Sequence, residues 1–560
     1  MKGLEPPRLS ASDPKSDAAT NYATSAESLG GAKIQFFFKQ YTFFCNKICE
    51  LKKNYLLHLL QLIFTLMTVF YRLIFFVLIF LNSLVLSSQS LVGAQSNYAG
   101  SRSLSMNPAL MNTSYLYSDF YVANLSLSAF NDYVYINNEL YNISNINIEQ
   151  IGEQIGMFDN EKPKNLYQSL DLNVLGFMYS IDARQSVGFS TNARVYTNAT
   201  DVPYDIIDII RNGLKNKDKK DYNGSYTSSD VSISTMEWME FAFAYSRKIY
   251  DKYHNRIDAG VSIKYLLGYS AAVGNINELN YVISEDTVVT VNKFDADMAY
   301  SLPIKYDEPL SSHDFIDKSL VRGHGVAFDI GLTYTHKKFV EVNKKRIFAS
   351  CMLPKLDYKW RLGLSLVDLG FINFNDNAID NSFDNVDPVV FDKTVFDHLE
   401  RFGDMIKYMS AIYYDGDTLA SVVNDKFKVG LPTTLRFQFD YNLYKHFYIN
   451  TTIIQPIKIF KYSVVAASQL MVEPRYESDN FDFSLPLTLS DYRHLSLGAS
   501  MRMGFFTIGT QNLSSYLGLG DIKGMDFYVS IKFNFIRGNC AEDRYDACWS
   551  ADYGNKKYRR

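Results

Sequence analysis

Strict alternation of apolar and polar side chains is the feature that most restricts how this chain folds. In residues 525–535 every odd position is apolar and every even position carries a polar group. Successive side chains of a strand point to opposite faces, so this pattern predicts a β-strand with one apolar and one polar face. The same pattern recurs in residues 187–195, 257–265, 326–334, 360–366, 435–443 and 495–503.

Weaker strand candidates raise the predicted number of strands to roughly fourteen. They lie at residues 121–128, 170–181, 239–247, 447–454, 462–472 and 507–511. Tilted strands of about ten residues are long enough to cross a bilayer. An open sheet edge in lipid would leave backbone groups without hydrogen bonds. We therefore predict an all-β fold, a closed antiparallel transmembrane β-barrel; the alternative is a soluble β-sandwich or large β-domain, whose apolar faces would form a core.

The composition agrees with a barrel in a membrane. Aromatic residues make up 15% of the 560 residues, with 41 Tyr and 40 Phe against 3 Trp. This bias favours strands and membrane interfaces. The formal net charge of -4 provides no basic field for nucleic acid, so we predict no nucleic-acid partner.

The amino-terminal part of the chain predicts export. A short positive region and an apolar stretch precede Ala94, which closes a small-residue site before Gln95, as in cleaved signal peptides. We predict a signal peptide at residues 67–94, with cleavage between Ala94 and Gln95, and a non-native or disordered upstream extension at residues 1–66. The alternative is a cytoplasmic tail on an inner-membrane anchor, with the strands facing the periplasm.

Two insertions and a tail interrupt the strand pattern. Residues 201–215 and 395–409 place apolar side chains at helical spacing, which predicts two short helical insertions in long loops. Residues 537–560 form a polar tail, which we place in the periplasm. Within it, Cys540 and Cys548 can form a disulfide in an oxidising compartment, and two free thiols are the alternative.

Motifs typical of enzymes and metal sites are missing from the sequence. There is no Gly-rich phosphate loop, no G-x-S-x-G elbow and no H-E-x-x-H, and the histidines stand singly. The cysteines show no metal-ligand spacing. We therefore predict no catalytic residue, no metal site and no cofactor, and a protein that is not an enzyme.

One short motif resembles an element of a known transporter class. The sequence Ser-Met-Asn-Pro-Ala-Leu around Asn107, Pro108 and Ala109 resembles the element that opens outer-membrane transporters of the long-chain fatty-acid class. In that class the element belongs to a plug inside the lumen. The resemblance implies an amino-terminal plug at residues 95–115, containing Asn107, Pro108 and Ala109, followed by a barrel at residues 116–536.

Further segments resemble an uncharacterised outer-membrane barrel family of the Bacteroidota. They are residues 325–331, 364–370, 431–434 and 508–512. Better-known relatives of that family include barrels that assist type IX secretion and gliding. The resemblance covers roughly residues 95–536 and implies the fold more than an activity, since barrels of one fold carry different cargo.

The polar faces of the predicted strands carry many charges. The residues that we predict to face the lumen are Arg194, Lys264, Arg361, Arg436, Asp440, Arg502 and Lys532. Fatty-acid transporters are expected to offer an apolar groove, so a charged interior departs from that class. Some of these charges could pair across strands and fill space.

The sequence leaves two functions open. In the first, the barrel passes or binds a small substrate, including a hydrophobic one, through a plugged lumen. In the second, a non-enzymatic structural or docking barrel anchors a secretion or cell-envelope protein complex. Both place the exported protein in the outer membrane, in contact with its lipid.

Overall fold

The strand pattern extends over most of the chain between residues 93 and 536. The computed structural model describes residues 93–136, 155–157, 162–204, 206, 224–284, 288–308, 317, 319–338, 356–384, 389–391, 401–517 and 523–536. Several predictions lie outside these residues: the signal peptide before Gly93, the upstream extension, most of the helix at 201–215, and the tail with Cys540 and Cys548.

The alternating segments form strands, and short helices lie before and between them. In chain order the strands are β1 (Ser118–Asn131), β2 (Val134–Ile136), β3 (Ile155–Met157), β4 (Lys164–Asp182), β5 (Gln185–Val202), β6 (Gly224–Lys252), β7 (Asn255–Ser284), β8 (Val288–Ser301), β9 (Gly323–Lys337), β10 (Tyr358–Phe374), β11 (Ala378–Phe383), β12 (Val389–Phe391), β13 (Val422–Asn424), β14 (Phe427–Gly430), β15 (Thr434–Tyr444), β16 (Phe447–Pro456), β17 (Tyr462–Ser463), β18 (Gln469–Glu477), β19 (Phe481–Ser484), β20 (Leu487–Ser490), β21 (His494–Leu497), β22 (Ala499–Met503), β23 (Phe506–Thr510) and β24 (Gly524–Phe535). The helices are two 3₁₀ helices, Gly100–Ser105 and Pro108–Thr113, and two α-helices, α1 (Phe402–Tyr413) and α2 (Leu513–Tyr516).

Antiparallel pairing closes the sheet on itself. Around the barrel the order is β1, β4, β5, β6, β7, β9, β10, β15, β16, β18, β19 with β20, β21 with β22, β23 and β24. β24 then pairs with β1 from Ser118 opposite Phe535 to Phe130 opposite Gly524. Closure satisfies the backbone groups that a free edge would expose. The predicted closed barrel of roughly fourteen strands is confirmed.

Apolar side chains of the barrel face outward and charged side chains face inward, the reverse of a soluble protein. On β15 the apolar Leu435, Phe437 and Phe439 are 41%, 40% and 36% exposed, whereas the alternating Arg436 and Asp440 are 1% and 2% exposed. Apolar side chains point outward in the same way along β9 and β24. An apolar outer band around a polar interior is typical of a transmembrane barrel and rules out the soluble β-sandwich. Among the described residues, no helix is long and apolar enough to cross a bilayer.

Two strand predictions need correction. The segment 462–472 is not one strand: Tyr462–Ser463 pairs in parallel with β14, and the antiparallel strand β18 begins only at Gln469. The strand formed by β19 and β20 escaped prediction. Its side chains alternate from Phe481 to Ser490, but Pro486 lies inside it, and proline cannot donate to the ladder.

The long insertion after β10 folds into a sheet beyond one end of the barrel. β7 continues past its barrel partner to pair with β8, which in turn pairs with β11 and β12. The rings of Phe294, Phe383 and Tyr413 pack together, which attaches α1 to this sheet. The helix predicted at 395–409 is observed as α1, beginning at Phe402.

Ile330, 52% exposed on the outward face of β9, tests the contact with lipid. We expect Ile330→Arg to lower the free energy of unfolding in lipid vesicles by about 2–4 kcal/mol, the cost of an arginine near the bilayer midplane. Urea titration followed by the gel mobility of unheated samples measures it. Leu320→Arg, at a 56% exposed position before β9, is the control and should change little; equal losses would contradict the assignment.

Candidate functional site

Residues 95–117, which we call the plug, lie buried in the interior of the barrel. Met106, Asn107 and Ala109 are each 0% exposed. The plug makes hydrogen bonds to inward-facing groups of strands around the barrel, including β5, β7, β10, β15, β18 and β24. The wall and the plug therefore form one hydrogen-bonded interior.

Asn107 and Pro108 start the second 3₁₀ helix of the plug and fix it to the wall. The Oδ1 atom of Asn107 accepts the N–H of Ala109 at 2.9 Å, and Pro108 occupies the first turn, where its missing N–H is no loss. The Nδ2 atom of Asn107 donates to Gln438 Oε1 at 3.0 Å and to the Leu332 carbonyl at 3.2 Å. One side chain thus caps the helix and joins it to two strands.

Glycines on neighbouring strands leave the space that this turn occupies. A Cβ atom on Gly260 would lie 2.4 Å from the carbonyl carbon of Pro108, and one on Gly331 would lie 2.0 Å from Asn107 Oδ1. Gly260 and Gly331 are paired across β7 and β9. The wall therefore has a recess that only a residue without a side chain can provide.

Basic side chains of the wall bind carbonyl oxygens of the plug. Lys532 Nζ donates to the carbonyls of Tyr98 and Ala99 at 2.5 and 2.7 Å, and Arg436 Nη1 donates to the Ser105 carbonyl at 2.5 Å. Arg361 also donates to the plug, through Thr113 Oγ1 at 3.0 Å. Ser105 ends the first 3₁₀ helix, where carbonyls lack partners inside the helix, so Arg436 satisfies a group that water would otherwise bind.

Acidic side chains of the wall bind N–H groups of the plug. Glu477 accepts from the main chain and side chain of Asn97 at 3.1 and 2.7 Å. Asp119 accepts from the Ser101 N–H at 2.9 Å. The plug is therefore held by buried charges of both signs, in hydrogen bonds stronger than those between neutral groups.

Asp368 sits on a bulge of β10 and points into the lumen. The pairing of β10 with β9 shifts register between Leu366 and Leu369, and Asp368 has a φ of 60°. Its carboxylate accepts from Lys264 Nζ at 2.6 Å and from Arg194 Nη1 at 3.1 Å. The bulge re-aims one acidic side chain at two bases of other strands.

The same two bases connect Asp368 to three further acids. Lys264 Nζ lies 2.8 Å from Asp329, and Arg194 lies 2.7 Å from Asp171 and 3.2 Å from Glu240. All six side chains are at most 16% exposed. We call this group the Asp368 cluster; with four acids and two bases, it carries an excess of carboxylates.

A second ionic cluster lies beside the start of the plug. Asp440 binds Arg361 at 3.1 Å and Arg475 at 2.8 Å, and Arg475 also binds Glu477 at 2.5 Å. All four side chains are at most 5% exposed. Buried charges of this kind persist only when they are paired.

A polar cavity of about 80 Å³ lies between the plug and the Asp368 cluster. Amides cross its wall as a ladder: Asn124 donates to Asn173, Asn173 to Asn192 at 2.5 Å, and Asn192 to Glu240 at 2.5 Å. At the start of this ladder, Asn124 Oδ1 has no hydrogen-bond partner among the described residues, and neither has Ser101 Oγ of the plug. The cavity thus offers buried polar atoms to a polar molecule.

The structure distributes the predicted lumen residues over several contacts. Arg194 and Lys264 join the Asp368 cluster, Arg361 and Asp440 the second cluster, Arg436 and Lys532 the plug. Arg502 pairs with Asp482 at 2.6 Å. Sequence reasoning missed their partners: Asp119, Asp171, Glu240, Asp329, Asp368, Arg475, Glu477 and Asp482. Two of these, Asp329 and Asp368, lie in the segments 325–331 and 364–370 on which the family resemblance was based.

Comparison with protein families gives one match of high coverage. A family model described as "Family of unknown function (DUF5723)" matches residues 108–511. No curated protein matches the sequence significantly. The bacterial group named by the resemblance stays a prediction.

Solved structures share the barrel at a low level of similarity. The TodX deltaS2S3 mutant monoaromatic hydrocarbon channel has a TM-score of 0.36 and 9% identity, covering 78% of this chain and 95% of that chain. The toluene transporter TbuX of Ralstonia pickettii has a TM-score of 0.34 and 10% identity, covering 80% of this chain and 99% of that chain. A Pseudomonas aeruginosa FadL homologue has a TM-score of 0.25 and 11% identity, covering 80% of this chain and 98% of that chain. Similarity this low carries no functional argument.

Asp368→Asn tests whether the Asp368 cluster stabilises the barrel. Asparagine accepts a positive φ as aspartate does, so the variant removes only the charge. We expect the free energy of unfolding to fall by about 3 kcal/mol, the lower end for a broken buried pair, because both bases keep other acids. Urea titration in vesicles measures it. Glu278→Gln, which breaks the exposed pair with Lys293, is the control. If both variants lower the free energy of unfolding by the same small amount, the Asp368 cluster does not stabilise the barrel.

Proposed function

The chain belongs to the DUF5723 family, whose function is unknown, and we propose that it is a gated outer-membrane barrel that admits a small solute when its plug moves. The observation that carries the proposal is the burial of residues 95–117 inside the barrel, where hydrogen bonds and packing hold them. Bonds of this kind can exchange with water, so the plug can move while the barrel stays closed by its strand pairing.

The chemistry of the cavity favours a polar solute. Its wall presents the amide ladder, the Asp368 cluster, and the unpaired Asn124 Oδ1 and Ser101 Oγ. A hydrophobic molecule would leave Asn124 Oδ1 and Ser101 Oγ without partners, at a cost of about 1–3 kcal/mol for each. A polar solute with N–H or O–H donors would satisfy them. The hydrophobic substrate implied by the fatty-acid transporter resemblance is therefore the less favoured class.

A docking barrel is the second candidate, and the sheet beyond the barrel end favours it. Leu419, Val422 and Val423 are 62%, 41% and 58% exposed there, next to α1. Exposed apolar side chains outside the lipid-facing band are typical of surfaces that bind another protein. This reading assigns the plugged barrel to anchoring a secretion or cell-envelope complex, with no flow through the lumen.

Gly260→Ala tests the gate, since it places a methyl group against Pro108 without changing a charge. We expect the open probability in planar bilayers to rise about tenfold or more, because overpacking of a close contact costs about 1–3 kcal/mol. Gly274→Ala, on the same strand but with its nearest atom 4.0 Å away, should behave as wild type. Deletion of residues 95–113 should leave the barrel permanently conducting.

The same recordings decide between the two candidates. Conductance in the deletion variant and in Gly260→Ala, with closed wild-type barrels, supports the gate. Barrels that insert but never conduct, even after deletion of the plug, would reject transport, and co-purification of a stoichiometric partner would then establish docking.

A further inference from the structure

Glu473, on the inner face of β18, is a buried carboxylate that forms no ion pair with any residue the structure describes. It is 0% exposed, its Oε1 accepts the N–H of Gly93 at 3.3 Å, and its Oε2 has no hydrogen-bond partner among the described residues. Arg475, two residues further on the same face, binds Asp440 and Glu477 instead. Ser484 and the nearby charge of Arg475 stabilise Glu473 in part. Because a buried carboxylate that forms no ion pair is still costly, this position favours a positively charged partner.

Gln95 of the plug is fixed close to this carboxylate. Its side-chain amide donates to Thr452 Oγ1, and its carbonyl accepts from Arg361 at 3.4 Å. Thr452 and Glu473 lie on the inner faces of the paired strands β16 and β18. Gly93 binds Glu473 directly, and two residues of chain span at most about 7 Å. With Gly93 N at 3.3 Å from Glu473 Oε1, the main-chain nitrogen of Gln95 lies within about 10 Å of this carboxylate, and removal of residues 93 and 94 frees it to turn toward Glu473.

We propose that the chain is cleaved between Ala94 and Gln95 and that the new amino-terminal ammonium of Gln95 forms an ion pair with Glu473 inside the barrel. In the cleavage, water adds across the Ala94–Gln95 peptide bond under catalysis by an export peptidase. Ala94 leaves with a carboxylate, and the amine of Gln95 takes up a proton. The ammonium carries three N–H donors and replaces the single donor that is lost with Gly93.

The burial of Ala94 and Gln95 determines the order in which cleavage and packing of the plug occur. Ala94 and Gln95 are each 2% exposed, and Ala94 packs in an apolar cluster with Met106, Leu110 and Ile454. A peptidase cannot reach a peptide bond in this position. Cleavage therefore precedes packing of the plug, and the ion pair with Glu473 locks only a processed chain. This inference does not depend on what passes through the lumen.

The test uses the processed protein isolated from the membrane. Mass spectrometry should find a first peptide that begins at Gln95 with a free amine. Acylation of this amine by an activated ester at neutral pH should be slow in the folded barrel and fast in denaturant. In Glu473→Gln we expect acylation of the folded protein to be about tenfold faster or more, since the ammonium loses its buried partner. Glu278→Gln, far from the plug, should match wild type.

Several results would overturn the proposal. They are a first residue other than Gln95, a Gln95 amine lost by cyclisation with release of ammonia, and equal acylation rates in folded wild type and Glu473→Gln. Should Glu473→Gln fail to assemble, the comparison of folded and denatured wild type decides alone: equal rates in both would show an exposed amine and contradict the ion pair.

Discussion

Lipid offers no hydrogen bonds to a protein, and this one property explains where the polar groups of the barrel lie. The strands satisfy their backbone by closing from β24 to β1, and their outward side chains are apolar. Every charge that alternates with an apolar residue must then point inward. Because the interior is narrow and filled by the plug, these charges are buried, and each needs a partner within the barrel.

The plug supplies many of those partners. Lys532 and Arg436 bind its carbonyl oxygens, whereas Glu477 and Asp119 bind its N–H groups. Stability and occlusion are therefore linked, since removal of the plug leaves these buried charges with fewer hydrogen-bond partners. The wall alone pairs the Asp368 cluster, so its ion pairs do not depend on the plug. The Asp368 cluster is therefore independent of the plug, whereas the charges that bind the plug are not.

Alternation predicted the barrel well because it reflects a local rule. The segment 525–535 became β24 with one residue added, and 435–443 became β15 with one residue added at each end. The strand prediction failed around Pro486, where proline breaks the hydrogen-bonded ladder although the alternation continues. Alternation also said nothing about how β8 and β11 would extend the sheet. Inward charges such as Arg194 followed from the period of two. Their partners did not. Asp171 and Glu240 meet Arg194 from the neighbouring strands β4 and β6, and Asp368 meets it from β10; no single segment specifies its register with the strands around it.

The central claim is that the plug is an ordered part of the barrel interior, fixed by charged groups of the wall. Hydrogen exchange measured by mass spectrometry in lipid nanodiscs tests it most directly, through the peptides that cover residues 95–117. The account predicts exchange in the plug that is slowed to the same degree as in the strand β15. Exchange of the plug at the rate of an unstructured peptide, beside a protected β15, would contradict it.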